Sequence, residues 1–116
     1  MSSDTPSVTD IDPVEADALV AGGALLLDVR EDDEWAAGHA PAAVHVAMGQ
    51  VVERNAELPT DRTNVCLCRA GGRSGSVALH LAGLGYDVRN VAGGMQAWAA
   101  GDLPVVDGAG SPGRVI

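Results

Sequence analysis

One thiol, two guanidinium groups and two glycines fall within a single short stretch, Cys68-Arg69-Ala70-Gly71-Gly72-Arg73-Ser74. The apolar run Val65-Cys66-Leu67 before it suits the end of a buried parallel strand, and Ser74-Gly75-Ser76-Val77-Ala78-Leu79-His80-Leu81 after it suits a helix capped by Ser74. Open α/β sheets bind their ligands at the carboxyl ends of strands, which is where this arrangement puts Cys68. Gly71 and Gly72 let the backbone curl so that successive N–H groups point inward as a nest for negative charge, and the helix aims its positive end at the same spot. A thiol in that field loses its proton more readily than a free one, and the thiolate is the nucleophile. The stretch reads as a catalytic cysteine loop.

The elements that must position the loop are those of one small α/β domain. Asp12 reads as the cap of a helix with Pro13 in its first turn, Glu15 at its third position and Val14, Ala18, Leu19 and Val20 on a buried face, ended by Gly22-Gly23. Ala24 to Arg30 is an apolar run closed by charge, the pattern of a strand covered on both faces. The acidic cluster Glu31 to Glu34 reads as a solvated first helical turn, without the ligand spacing or central glycine of a calcium loop, so no metal is expected. Gly38-His39-Ala40-Pro41 is a turn and Ala43 to Val46 a short strand, with His39, His45 and His80 read as structural. Met48 to Leu58 is expected as a helix with Val51, Val52 and Leu58 inward, and Tyr86 to Val91 as a further strand before a helix over Met95 to Ala100. Strands alternating with helices imply a mainly parallel sheet with helices on both faces. The expected organisation is a flexible terminus over 1–8, one domain over 9–106 and a flexible tail over 107–116.

Composition bounds the function. With 116 residues and 47% hydrophobic content the chain makes one compact domain, and with no phenylalanine the core must be aliphatic. A net charge of -9, with arginine as the sole basic residue, argues against nucleic acid as the main partner. Met1 to Thr5 lack the basic start and apolar stretch of a signal peptide, and no apolar run approaches the ~20 residues that cross a bilayer, so a reduced, cytoplasmic domain is expected. Cys66 and Cys68 are too close on one strand to pair, and Cys66 reads as a small buried apolar residue, with a resolving thiol as the alternative.

Several segments together resemble the rhodanese-like sulfurtransferases: Asp28-Val29-Arg30-Glu31, Glu34-Trp35, Gly38-His39-Ala40-Pro41, Cys68 to Ser74, Gly85-Tyr86 and Val91 to Trp98, in that order. The resemblance runs from about Ile11 to Pro104 and departs at Ala42 and Ala47, where family members often have Gly and Pro. It implies a three-layer α/β domain with a central sheet of about five strands. It also implies transfer of a sulfane sulfur from thiosulfate or a similar donor, through a persulfide, to a thiophilic acceptor such as cyanide, a thiol or a protein, with no cofactor. By resemblance Cys68 is the persulfide cysteine and the backbone of Arg69, Ala70, Gly71, Gly72, Arg73 and Ser74 its cradle. Arg69 and Arg73 are the expected anchors for an anionic donor, and Asp28 and Arg30 an ion-paired brace supporting the loop. Two other readings stay open. The domain can serve as a sulfur carrier or regulatory binding module without small-molecule turnover. It can also resemble the phosphatases and arsenate reductases of the same fold, which have a cysteine loop one residue longer; the four residues between Cys68 and Arg73 suit a single sulfur better than a tetrahedral oxyanion.

Overall fold

A computed structural model describes residues 7–116, so residues 1–6 of the expected flexible terminus, with the segment scanned for a signal peptide, lie outside the described residues. Five strands form one sheet: β1 (Thr9–Ile11), β2 (Leu25–Asp28), β3 (Val44–His45), β4 (Asn64–Leu67) and β5 (Val88–Val91). Their order is β1-β5-β4-β2-β3 and every pairing is parallel, which puts β4, the strand leading into Cys68, in the middle. The helices are α1 (Pro13–Ala21), α2 (Asp32–Ala37), α3 (Val51–Arg54), α4 (Gly72–Gly83) and α5 (Gly94–Ala100). None of them is long and apolar enough to cross a membrane.

Alternation along the strands sends side chains to opposite faces, and each face has its own apolar cluster. Leu27, Cys66 and Cys68 pack with Val77, Ala78 and Leu81 of α4 and with Val51 of α3, while Leu26, Val65 and Leu67 pack with Ala16 of α1 and with Met95 and Trp98 of α5. This is the three-layer α/β domain expected, with the sheet between two helical layers.

Local chemistry explains most of the boundaries. The Asp12 carboxylate accepts from the Glu15 N–H at 2.8 Å, Pro13 opens α1 and Gly22 caps its end. Several expectations need correction. Val14 is 66% exposed and Ala16, not Val14, is buried in α1; a helix this rich in alanine has no pronounced apolar stripe to read. The helix expected over Met48 to Leu58 is a single α-helical turn, α3, between two 3₁₀ turns, and Val52 points outward at 67% exposure. The strand β1 was hidden in the sequence because it has three residues, two of them exposed, and lies at the sheet edge. Part of the segment after Leu103 touches the domain: Val106 and His39 exchange hydrogen bonds at 2.8 and 2.9 Å, and the Arg114 N–H donates to Ala37 O at 3.0 Å. Close approach makes this possible, since a Cβ at Gly38 would lie 2.6 Å from the Arg114 nitrogen.

Candidate active site

Cys68 leaves the end of β4 at the centre of the sheet, and the chain then turns through Gly71, which adopts φ 107° and caps α4. That left-handed conformation suits glycine, and it lets the helix begin at Gly72, earlier than expected. Ser74 is therefore not the cap; it lies in the first turn of α4, fully buried. The consequence is chemical. The Gly71 N–H donates to Cys68 Sγ at 3.0 Å, and Ser74 Oγ stands 3.3 Å from the same sulfur. Burial pushes the Cys68 thiol up, but hydrogen bonds from the Ser74 hydroxyl and from the Ser74, Gly71 and Ala70 amides outweigh it and hold the thiol below its ordinary value. Cys66 has no such donors: burial, with Cys68 nearby, pushes it up to about 12. One cysteine of the pair is thus prepared to ionise and the other is held neutral.

The loop is tied from below. The Met95 and Gln96 amides, in the first turn of α5, donate to Cys68 O at 2.7 Å and Arg69 O at 3.0 Å. Gly94 makes room for this contact: a Cβ there would run into the Cys68 carbonyl oxygen.

The remaining residues singled out in the sequence gather at this edge in different ways. Arg69 is exposed, with its Nε donating to Ile116 O at 2.9 Å. Ala70 and Gly72 are exposed backbone positions of the turn. Arg73, expected as an anchor for an anionic donor, pairs with both Glu34 oxygens at 2.7 and 2.8 Å. That guanidinium holds the Glu34 carboxyl at about 2, far below the usual range, and the carboxylate in turn raises Arg73. Asp28 and Arg30 sit at the end of β2, both fully buried, in a 2.8 Å ion pair; Arg30 also donates to Gly38 O at 2.7 Å, bracing the turn after α2. His39 and His45 bond backbone oxygens, Trp35 O at 2.8 Å and Arg30 O at 2.7 Å, and both stack on Trp35.

Two partners of the loop went unread in the sequence. Glu34 belonged to an acidic cluster taken as solvated, and its distinguishing signal, a place on the same helix turn as the Glu31 capping box, is a weak one. Asn90 is the other. In the parallel register, Leu27, Cys66, Asn90 and Asp10 form one row across β2, β4, β5 and β1, so their side chains share a sheet face. Asn90 accordingly points toward α4, where its Oδ1 lies 2.6 Å from Ser74 Oγ and its Nδ2 lies 3.1 Å from both Gly71 O and Asp10 Oδ1.

Comparison with known proteins agrees with this geometry. Residues 12–101 match the family model described as a rhodanese-like domain. A putative sulfurtransferase of Bacillus subtilis, YtwF, is 44% identical over 79 residues, covering 68% of this chain and 77% of its own. The thiosulfate sulfurtransferase GlpE of Pseudomonas savastanoi pv. phaseolicola is 36% identical over 91 residues, covering 78% of this chain and 86% of its own. Among solved structures, a rhodanese-related protein of Thermoplasma volcanium superposes with a TM-score of 0.79 at 26% identity, covering 84% of this chain and 97% of its own. A thiosulfate sulfurtransferase of Pseudomonas aeruginosa superposes equally well, with a TM-score of 0.79 at 26% identity, but this chain spans only 22% of its length.

Proposed function

The chain belongs to the rhodanese-like family, and from that premise we propose that it is a sulfurtransferase working by double displacement through a persulfide on Cys68. The observation that carries the reading is the polar ring around one sulfur: the Gly71 N–H donates to Cys68 Sγ at 3.0 Å and Ser74 Oγ stands 3.3 Å away, at the positive end of α4. The Cys68 thiolate attacks the outer sulfur of a donor such as thiosulfate. A new S–S bond forms, the bond to the sulfonate sulfur breaks, and sulfite leaves with its electron pair. The persulfide now carries its charge on the outer sulfur, within reach of the Arg69 to Ser74 amides, which serve it as an oxyanion hole serves an oxygen. An acceptor such as cyanide then takes that sulfur as thiocyanate and returns the thiolate. Asp28 and Arg30 do no chemistry in this scheme; their buried pair supports the edge from which the loop springs. A reduced cytoplasm, which preserves the Cys68 thiol, is the compartment the reading expects.

The decisive experiment records the intact mass after incubation with thiosulfate, then assays thiocyanate on adding cyanide, with Cys68→Ser alongside. Gain of one sulfur atom by the wild type alone, followed by thiocyanate release, is the expected result. Failure to gain sulfur from any sulfane donor would remove the reading. A specific observation favours a second reading, in which the donor is a thiol persulfide or protein persulfide. Arg73 is neutralised by Glu34, Arg69 is partly engaged by Ile116 O, and the chain carries a net charge of -9, a poor setting for a dianion. Sulfur gained from persulfidated cysteine but not from thiosulfate selects it.

A further inference from the structure

The three contacts of Ser74 Oγ cannot all be donations. A hydroxyl has one proton, and around this one stand Asn90 Oδ1 at 2.6 Å, Cys68 Sγ at 3.3 Å and Gly71 O at 3.4 Å. The orientation of the Asn90 amide is fixed by its other end. Its Nδ2 meets two oxygens, Asp10 Oδ1 and Gly71 O, each at 3.1 Å, and the Gly71 carbonyl can only accept, so the amide's NH₂ end must face it. Asn90 Oδ1 therefore faces Ser74, and since a carbonyl only accepts, the proton in the 2.6 Å contact belongs to the serine. That distance is at the short end for O–H···O, whereas the sulfur contact is longer and its acceptor is weak while the thiol is neutral.

We propose that Asn90 is a positioning residue that competes with Cys68 for the single proton of Ser74 and thereby sets how readily the thiol ionises. With the proton on the Asn90 side, Ser74 turns a lone pair to the sulfur, which suits an S–H and opposes a thiolate. When the thiol ionises, the proton must swing to the sulfur and give up its bond to Asn90. The hydroxyl's share in favouring the thiolate is therefore conditional on Asn90 releasing it. The proposal rests on Cys68 as the reactive thiol of the preceding reading.

Loop geometry does not depend on Asn90 alone. The Met95 and Gln96 amides hold Cys68 O and Arg69 O, and the Gly75 N–H holds Gly71 O at 3.1 Å, so removing the Asn90 side chain leaves the loop anchored and changes chiefly where the proton points. The charged and titratable groups on the elements around the loop stay as they are: Arg69 and the Arg73–Glu34 pair from the loop and α2, the Asp28–Arg30 pair from β2, Asp10 behind Asn90 on β1, and Cys66, held neutral, on β4.

The test is the pH profile of iodoacetamide alkylation at Cys68, followed by mass, for the full chain and for Asn90→Ala, Ser74→Ala and the double variant. In Asn90→Ala the midpoint moves to lower pH, and the thiolate fraction well below the midpoint rises about three- to tenfold, the scale of the one neutral hydrogen bond to Asn90 that no longer has to be given up. In the Ser74→Ala background the same substitution has no such effect, because no proton remains to be released. A purely structural asparagine would lower the melting temperature without moving the midpoint down. An unchanged or raised midpoint in Asn90→Ala, or an equal fall with and without Ser74, overturns the proposal. Should Asn90→Ala not fold, Ser74→Ala alone decides: a rise all the way to an ordinary free thiol would mean that the proton was already with the sulfur. Alkylation reports the thiol whether or not sulfur is ever transferred, so a shifted profile without sulfur loading sinks the sulfurtransferase reading and leaves this one standing.

Discussion

Replacing Glu34 by glutamine keeps the shape of the side chain, and an oxygen for the Glu31 N–H at 3.1 Å, while deleting the charge that faces Arg73. The Arg73 guanidinium holds the Glu34 carboxyl at about 2 in place of an ordinary 4.5. A carboxyl depressed by folding stabilises the protein above its unfolded value, and that stability drains away as pH falls from about 4.5 through about 2. At face value the gap is worth roughly 3 kcal/mol at neutral pH. The Arg73 side chain is 35% exposed, however, and solvent screens the pair, so we expect a loss of about 1–2 kcal/mol in Glu34→Gln at pH 7. Urea unfolding at pH 7, 4 and 2.5 reads it directly: the difference between wild type and variant is full at pH 7 and shrinks on acidification. Equal stabilities at pH 7, or a difference that persists undiminished at pH 2.5, would refute the reasoning.

The same substitution has a second effect of opposite sense. A freed Arg73 leaves one more positive charge beside the Cys68 loop, so in the proposed reaction with thiosulfate the KM for that donor falls while the protein becomes less stable, and the gain is lost at high salt. Nonspecific damage would lower stability and worsen donor capture together, so opposite movements identify the ion pair as the cause.

Three further outcomes follow from buried and close contacts. Asp28→Asn leaves the Arg30 charge fully buried without its carboxylate and costs about 3–5 kcal/mol, visible as a large drop in melting temperature. Gly38→Ala puts a Cβ 2.6 Å from the Arg114 nitrogen and 2.8 Å from Val105 Cγ1, so the segment after Val106 is displaced and becomes sensitive to limited proteolysis while the rest of the domain stays folded. Because Cys66 is pushed up to about 12, iodoacetamide at pH 8 labels the native protein once, at Cys68, and a second adduct on Cys66 before unfolding would contradict that assignment.

What the sequence made legible is what is local. Asp12 caps α1 through a bond to Glu15, three residues on, and Cys68 follows an apolar run and precedes a glycine turn, so neighbouring residues suffice to place both. Ser74 was misassigned as a cap because its hydroxyl suits that role equally well; only the φ of 107° at Gly71, which starts α4 early, moves it into the first turn and onto the sulfur. Val14 and Val52 were placed inward because a single apolar residue in a short alanine-rich or irregular helix does not define a face. The partners of the loop were illegible for a different reason: Glu34 lies 39 residues before Arg73, and Asn90 lies 16 after Ser74. What joins them is topology. The observed order sets β2 and β5 on either side of the central β4, and residues at the ends of both strands converge on the cysteine edge. Two positions apart along one extended stretch, Cys66 and Cys68 share a face. The register Cys66↔Asn90 then places Asn90 on that same face, under α4, where a buried asparagine must find partners for its amide. Strand order and register were thus the missing facts, and with them Asn90 follows from the position of Cys66 by the pleat of the sheet.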